Sequence, residues 1–370
     1  LDEPCQPPIL EDAIMVDPQI IERWRNAPRL TTFSTFFERT ASGQGGAPDL
    51  ARPEPDLSLL DFDLDCAVYG DTHTRLFGNF DSHYHASIPY RLEETCRLGA
   101  TIFNFSLQAW ARTGFPATVY TLGAGTGCLA RSVAALGDGR IKTLACSPTP
   151  ANREAFFAKR GSEHAHFFLG PFFELDSNRY ATDTDLLPFR DGFDVLVEDT
   201  TFQMYDRDRA QQLAFIAPRI RHGGILVQVQ KLTNDDQDAY EERERQKDEL
   251  FKSRYFTTGQ ISEKKAEILS TMTNCQVDLK TTVSALRLFF RYCALTWNSG
   301  NFYTIVSSNS RASILEFVSL MVKPAIPPAY CYEKLPTALI DTESDPVAAA
   351  LSWRKANTML AVAAKRPAAS

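Results

Sequence analysis

The residues best able to do chemistry lie in three short runs. Half of the six histidines stand at His73, His83 and His85, two of them within Gly78-Asn79-Phe80-Asp81-Ser82-His83-Tyr84-His85. Imidazole titrates near neutrality, so any of the three suits a general base. If that run is extended, His83 and His85 share a face and, with Asp81 or Asp71, offer a metal site. A loop without chemistry is the third alternative. The second run, Glu198-Asp199-Thr200, ends an apolar stretch with two carboxylates that either orient an amine or amino-acid-like group or cap a turn. The third is Val119-Tyr120-Thr121-Leu122-Gly123-Ala124-Gly125-Thr126-Gly127-Cys128-Leu129. Here an apolar run feeds three glycines and then, at once, a helical pattern. Glycines let the backbone approach a ligand closely, and a helix N-terminus offers free N–H groups. The spacing is GxGxG. The dinucleotide fingerprint GxGxxG fails at its third glycine, where Cys128 stands. A tight strand–helix turn with no ligand is the plainest alternative.

The surrounding pattern positions these runs. A helix is predicted from Pro89 to Ala111, with Pro89 in its first turn and Leu92, Cys96, Gly99, Phe103, Leu107 and Trp110 at helical spacing. Strands are predicted at Val119–Leu122, Ile141–Cys146, His166–Leu169, Phe193–Glu198 and Ile225–Gln230. Helices fall at Leu129–Leu136, Ala151–Arg160 and from Asp206 to Ala217. Such alternation implies a parallel sheet covered on both faces. Beyond the fifth strand, Asp235–Lys252 reads as a charged helix, either a substrate cap or a solvated face braced by pairs such as Glu241–Arg245. Ile261–Thr271 reads as a helix, Gln276–Leu279 as a strand, Thr282–Leu295 as helical or mixed, Phe302–Ser307 as a strand and Ala312–Met321 as a helix. Trp297 and Tyr303, with Phe103, Phe105, Trp110, Phe172 and Phe173, either line an apolar pocket or pack the core.

The GxGxG turn resembles motif I of the class I S-adenosylmethionine-dependent methyltransferases. Phe193–Asp199 looks like that family's fourth strand, and Arg221-His222-Gly223-Gly224-Ile225-Leu226-Val227 like its glycine turn into the fifth. The resemblance covers residues 90–320 at the level of the superfamily. It implies an α/β fold: a Rossmann-like, seven-stranded methyltransferase sheet flanked by helices, with an N-terminal lid and an inserted helical cap. It further implies S-adenosylmethionine as cofactor, with Gly123, Ala124, Gly125 and Gly127, then Cys146 and Ser147, Phe172, and Glu198, Asp199 and Thr200 as candidate cofactor-binding residues. His83, His85 and Asp199 are the candidate catalytic residues. Three positions depart from the family pattern. Thr121 stands where an acidic residue usually precedes the first glycine, Leu144-Ala145-Cys146-Ser147-Pro148 lacks the usual ribose-binding carboxylate, and Gly170-Pro171-Phe172 lacks the usual Asp.

The expected organisation is an arm and lid over 1–88, a methyltransferase core over 89–322 with a cap at 233–275, and a partly ordered tail over 323–370. The 1–60 stretch reads as irregular, with one short helix near Pro18–Arg25. A net charge of −7 gives no basic field for nucleic acid. No apolar stretch approaches the roughly 18–20 residues of a membrane span. The eight cysteines form no CxxC pair, which disfavours a zinc ribbon or thioredoxin-like site. The chain therefore reads as a cytoplasmic enzyme methylating a small or medium-sized metabolite on O, N or C, with no nucleic-acid or membrane partner and homodimerisation left open. The alternative is a methyltransferase-like protein with lost or altered chemistry: a scaffold, or a non-methyl cyclase or lyase using a metal.

Overall fold

The computed structural model describes residues 16–60 and 63–357. Cys5 and the alanine-rich end beyond residue 357 lie outside them. Among the described residues eight strands form one sheet: β1 (Ala117–Leu122), β2 (Ile141–Ser147), β3 (Ala165–Leu169), β4 (Phe193–Asp199), β5 (Ile220–Lys231), β6 (Tyr292–Ser299), β7 (Phe302–Ser308) and β8 (Thr337–Ile340). Their order is β3-β2-β1-β4-β5-β7-β6-β8, parallel from β1 to β5 and antiparallel among β5, β7, β6 and β8. The expected α/β sheet flanked by helices is present, with one strand more than seven. The extra strand comes from the tail, which is also tied down further on. Val322 bridges to Arg354, whose guanidinium holds Asp63 at 2.8 and 3.0 Å.

The parallel strands are apolar on both faces because helices cover both. Val119, Val195, Ile225 and Val227 face α5 (Arg91–Thr113) and α14 (Arg311–Leu320). Tyr120, Leu144, Leu196 and Leu226 face Phe189, α9 (Arg209–Ile216) and the N-terminal arm. Helix α5 begins two residues after Pro89, because Tyr90 takes a left-handed conformation (φ 56°) as its N-cap. The α9 cap is Asp208, which accepts from Gln211 N, and not Asp206.

The arm has the short helix expected at Pro18–Arg25 and is helical further on as well. It contains α1 (Pro18–Arg25), capped by Asp17, α2 (Ser34–Ala41), α3 (Leu64–Arg75) and α4 (Asn79–Ser87). Asp81 starts α4 by accepting from Gly78 N at 2.7 Å. On a helix His83 and His85 diverge by about 200°, so they share no face, and the extended-strand basis for a metal site is lost. Among the described residues no group of three His, Cys, Asp or Glu can hold a metal.

After β5 the chain forms α10 (Gln237–Gln246), a π turn (Lys247–Phe251), α11 (Thr258–Lys264), a second π turn (Lys265–Leu269) and α12 (Ser270–Met272). No strand forms at Gln276–Leu279: residues 276–278 lead into α13 (Leu279–Arg287), because the Asp278 side chain accepts from Thr281 N and caps a helix there. Among the described residues no helix is long and apolar enough to cross a membrane.

Candidate active site

A cleft enclosing about 1280 Å³, part of it open to solvent, lies where β1 and β4 end. In sheets of this kind ligands bind beyond the strand C-termini, at the point where the strand order reverses. All three loop glycines have positive φ: 63° at Gly123, 55° at Gly125 and 69° at Gly127. Each is also needed for space. A Cβ at Gly123 would collide with Thr201, one at Gly125 would meet the Phe80 ring of α4 at 2.6 Å, and one at Gly127 would meet Phe156 at 2.8 Å and Ala145 at 2.9 Å. Gly123, Ala124 and Gly125 line the cleft; Gly127 lets α6 (Cys128–Gly137) settle against β2. No side chain caps α6, so its first N–H groups keep their donors, and Cys128 and Leu129 line the cleft.

At the end of β4 the two carboxylates part company. Asp199 lines the cleft with both oxygens engaged, Oδ2 with Arg91 at 2.7 Å and Oδ1 with the Tyr84 hydroxyl. Glu198 turns inward. It accepts from Thr201 N at 2.7 Å and Phe202 N at 3.0 Å and meets the Gln230 amide, and burial raises its pKa to about 7. Thr200, which also lines the cleft, sits at φ 53°. A β-branched residue in that region is strained by about 1–3 kcal/mol, and such strain gathers at functional sites.

His73, His83 and His85 all line the cleft, and burial lowers the pKa of each, to about 3 for His73. Hydrogen bonding fixes their tautomers. Ser132 Oγ donates to Cys128 O at 2.7 Å, so it accepts from His73 Nδ1 at 3.1 Å. His73 Nε2 then accepts from His85 Nε2 at 3.3 Å. This leaves His85 Nδ1 a lone-pair acceptor, buried and without a partner. His83 donates from Nδ1 to the Gly46 carbonyl, and its Nε2 accepts from Lys264 Nζ at 2.6 Å.

The far side of the loop differs from the family pattern. Ser147 and Cys146, at the end of β2, are fully buried and engaged internally, Ser147 with Asn152 at 2.9 Å and Cys146 with the Tyr120 hydroxyl at 3.0 Å. Phe172 packs on Trp24 of α1 with ring centroids 5.3 Å apart. None of these three lines the cleft. Arg29 comes into that corner from the arm, donating to Thr149 Oγ1 at 2.7 Å and lying 4.0 Å from the Phe37 ring centre. Gln203, missed in the sequence, also lines the cleft, and its Oε1 is buried without a partner. Asp81 lines it beside the loop, bonded to Thr126 Oγ1 and 3.8 Å from Arg131. The aromatics singled out in the sequence pack elsewhere. Trp297 sits with Ile88 and Phe302, Phe105 with Phe317, and Tyr303 bonds Arg243.

The orphaned Gln203 acceptor, the uncapped α6 N-terminus and the open glycine turn meet at one cavity, with the Asp81 carboxyl group beside the loop, a donor and acceptor set that would fit the cofactor the sequence resemblance implies. Among the described residues no carboxylate stands at the end of β2 to receive ribose hydroxyls.

No protein-family model matches the chain, and no curated protein does. Among solved structures it is similar to an O-methyltransferase family protein from Burkholderia thailandensis, with 15% identity, 60% of each chain covered and a TM-score of 0.36. It is also similar to the mitomycin 7-O-methyltransferase MmcR, with 14% identity, 82% of this chain and 76% of that one covered and a TM-score of 0.35. A third is the plantazolicin methyltransferase BpumL in complex with SAH, with 9% identity, 68% and 98% covered and a TM-score of 0.40. The chain spans 60% of the length of the first of these.

Proposed function

We propose that this chain is an S-adenosylmethionine-dependent methyltransferase acting on a small or medium-sized metabolite. One observation carries the reading: a turn of three left-handed glycines opens on the cleft at the ends of β1 and β4, followed by a helix whose N-terminus no side chain caps. When bound, the cofactor supplies a methyl group activated on a sulfonium. The Gly123–Gly125 backbone and the α6 amides would hold its amino-acid end, with Asp81 facing the ammonium. Arg29, Phe37 and Gln203 would hold the nucleoside end. Alignment alone can lower a barrier by about 7–11 kcal/mol, and the chain's rigid parts serve that end. Arg91 and Asp199 lock Tyr84 in place over the cleft, and Phe80 roofs Gly125. His85 Nδ1 is the group able to accept a hydrogen bond from an acceptor substrate's hydroxyl or amine and so orient its lone pair, because the Nδ1 lone pair is unengaged among the described residues and burial keeps the ring neutral. His83 is committed to Gly46 and Lys264 and acts as a positioning residue.

The test is methyl transfer from tritiated S-adenosylmethionine into the small-molecule fraction of a cell extract. Label is expected in organic-extractable material, and a His85→Phe variant is expected to transfer at least tenfold more slowly with its affinity for S-adenosylhomocysteine unchanged. Cofactor binding without any label transfer would point to a scaffold and overturn the enzymatic reading.

A further inference from the structure

We infer that the cap side of the cleft is a binding site for an anionic group, a carboxylate or phosphate on an otherwise apolar small molecule, formed by Lys231, Lys247, Lys252 and Lys264. Only in calling that molecule the methyl acceptor does this rest on the methyltransferase reading. The four ammonium groups reach the cleft from the end of β5, from the π turn and the residue after it, and from α11. The side chains of Lys231, Lys247 and Lys252 are 4%, 5% and 3% exposed, and Lys264 is half-buried.

Against these four cations stand two carboxylates. Glu244 pairs with Lys231 at 2.7 Å and with Lys247, and Asp248 lies 2.7 Å from Lys252 and 3.5 Å from Lys247. The Lys252–Asp248 contact is out of line, so Lys252 Nζ and Asp248 Oδ1 both lack a hydrogen-bond partner. Among the described residues Lys264 bonds to neutral groups alone, His83 Nε2 at 2.6 Å and Ser87 Oγ at 2.7 Å. Buried charge is ordinarily matched. Here four amines share two carboxylates, so two amines have no carboxylate of their own to hold a proton against.

Burial and neighbouring lysines push Lys252 down to about 7 and Lys264 well below the usual lysine range, as befits a cation cluster without its counter-ion. The rest of that wall is apolar, formed by Ile268, Leu269, Met272 and Phe302. A second cavity of about 750 Å³, part of it open to solvent, is also lined by Lys252 and Lys264, so these two stand between the two spaces. The four amines lie inside the cleft, which suits a small organic anion and not a polyanion.

The test is calorimetry on the full chain with benzoate, phenyl phosphate and, as a neutral control, benzyl alcohol, and separately with S-adenosylhomocysteine. The wild type is expected to bind at least one anion ten or more times tighter than benzyl alcohol. A Lys252→Met, Lys264→Met variant is expected to lose that preference, to keep S-adenosylhomocysteine affinity within twofold and to melt no lower than wild type. Should the pair fail to fold, Lys264→Gln, which retains a hydrogen bond to His83, carries the same test. If S-adenosylhomocysteine binds but the anions show no preference, or the variant retains it, the anion site is overturned and the methyltransferase reading stands. If the anions bind through these lysines but S-adenosylhomocysteine does not, the methyltransferase reading falls and the anion site stands.

Discussion

The two walls of the cleft are made in opposite ways. The sheet wall is backbone: a glycine turn, a strand end with Thr200 at positive φ, and the uncapped start of α6. The cap wall is side chain: lysines from three elements, with the arm's Arg29 and α4's His83 completing the enclosure. A backbone wall tolerates almost no change of residue, because each glycine lacks room for a Cβ. A wall of long side chains can be retuned one charge at a time. On the proposed function, the sheet wall would take the cofactor and the cap wall the acceptor.

The harshest way to probe that contrast is Gly123→Val, which forces a β-branched residue to φ 63° and into Thr201. It is expected to destabilise the protein by roughly 3 kcal/mol or more and to remove S-adenosylhomocysteine binding, whereas Lys252→Met should leave that binding intact. Asp199→Ala comes next. It strips the buried Arg91 of its carboxylate, which costs about 3 kcal/mol in chemical denaturation, while Tyr84→Phe removes one hydrogen bond and costs about 1 kcal/mol.

The pH dependence of stability separates the walls further. Lys252 titrates near 7 when folded and near 10.5 when unfolded, so between these values the unfolded chain binds more protons and stability rises with pH. Replacing Lys252 by Met should flatten that rise in denaturation curves at pH 7, 8 and 9. His73, lowered to about 3, acts in the same direction between 3 and 6.5, so the wild type should weaken as pH falls below about 6.5. The smallest effect expected is for Thr200→Gly, which relieves the left-handed strain and should stabilise by about 1 kcal/mol while slowing methyl transfer. A gain in stability with turnover unchanged would remove Thr200 from the functional account.

Legibility in the sequence follows the same division. The glycine turn was readable because its signal is local: an apolar run, three glycines and a helical start within eleven residues. The strands at Val119, Ile141 and Phe193 were readable because both faces are buried and each is a plain apolar run. Helix α4 was not, since its polar and aromatic residues show no helical period, and Asp81 bonding Gly78 N decides the matter. Asp235–Lys252 reads as either a substrate cap or a solvated face, and nothing singles out Lys231 or Lys264. Part of that stretch is such a face, with Arg245 exposed and paired to Glu242 and Glu249 instead of Glu241. Which lysines turn inward depends on the π turns and on contacts with α4, and neither leaves a mark in the local sequence. Arg29 and Gln203 carry no signal at all; only the fold brings them to the cleft.

The central claim is that the Gly123–Gly127 turn binds a sulfonium nucleoside. Equilibrium titration of the purified chain with S-adenosylmethionine tests it directly. Saturable one-to-one binding is expected in the micromolar range, at least a hundredfold weaker in Gly125→Ala, where the added methyl meets Phe80. No binding at millimolar ligand, or equal binding by the Gly125→Ala protein, would contradict it.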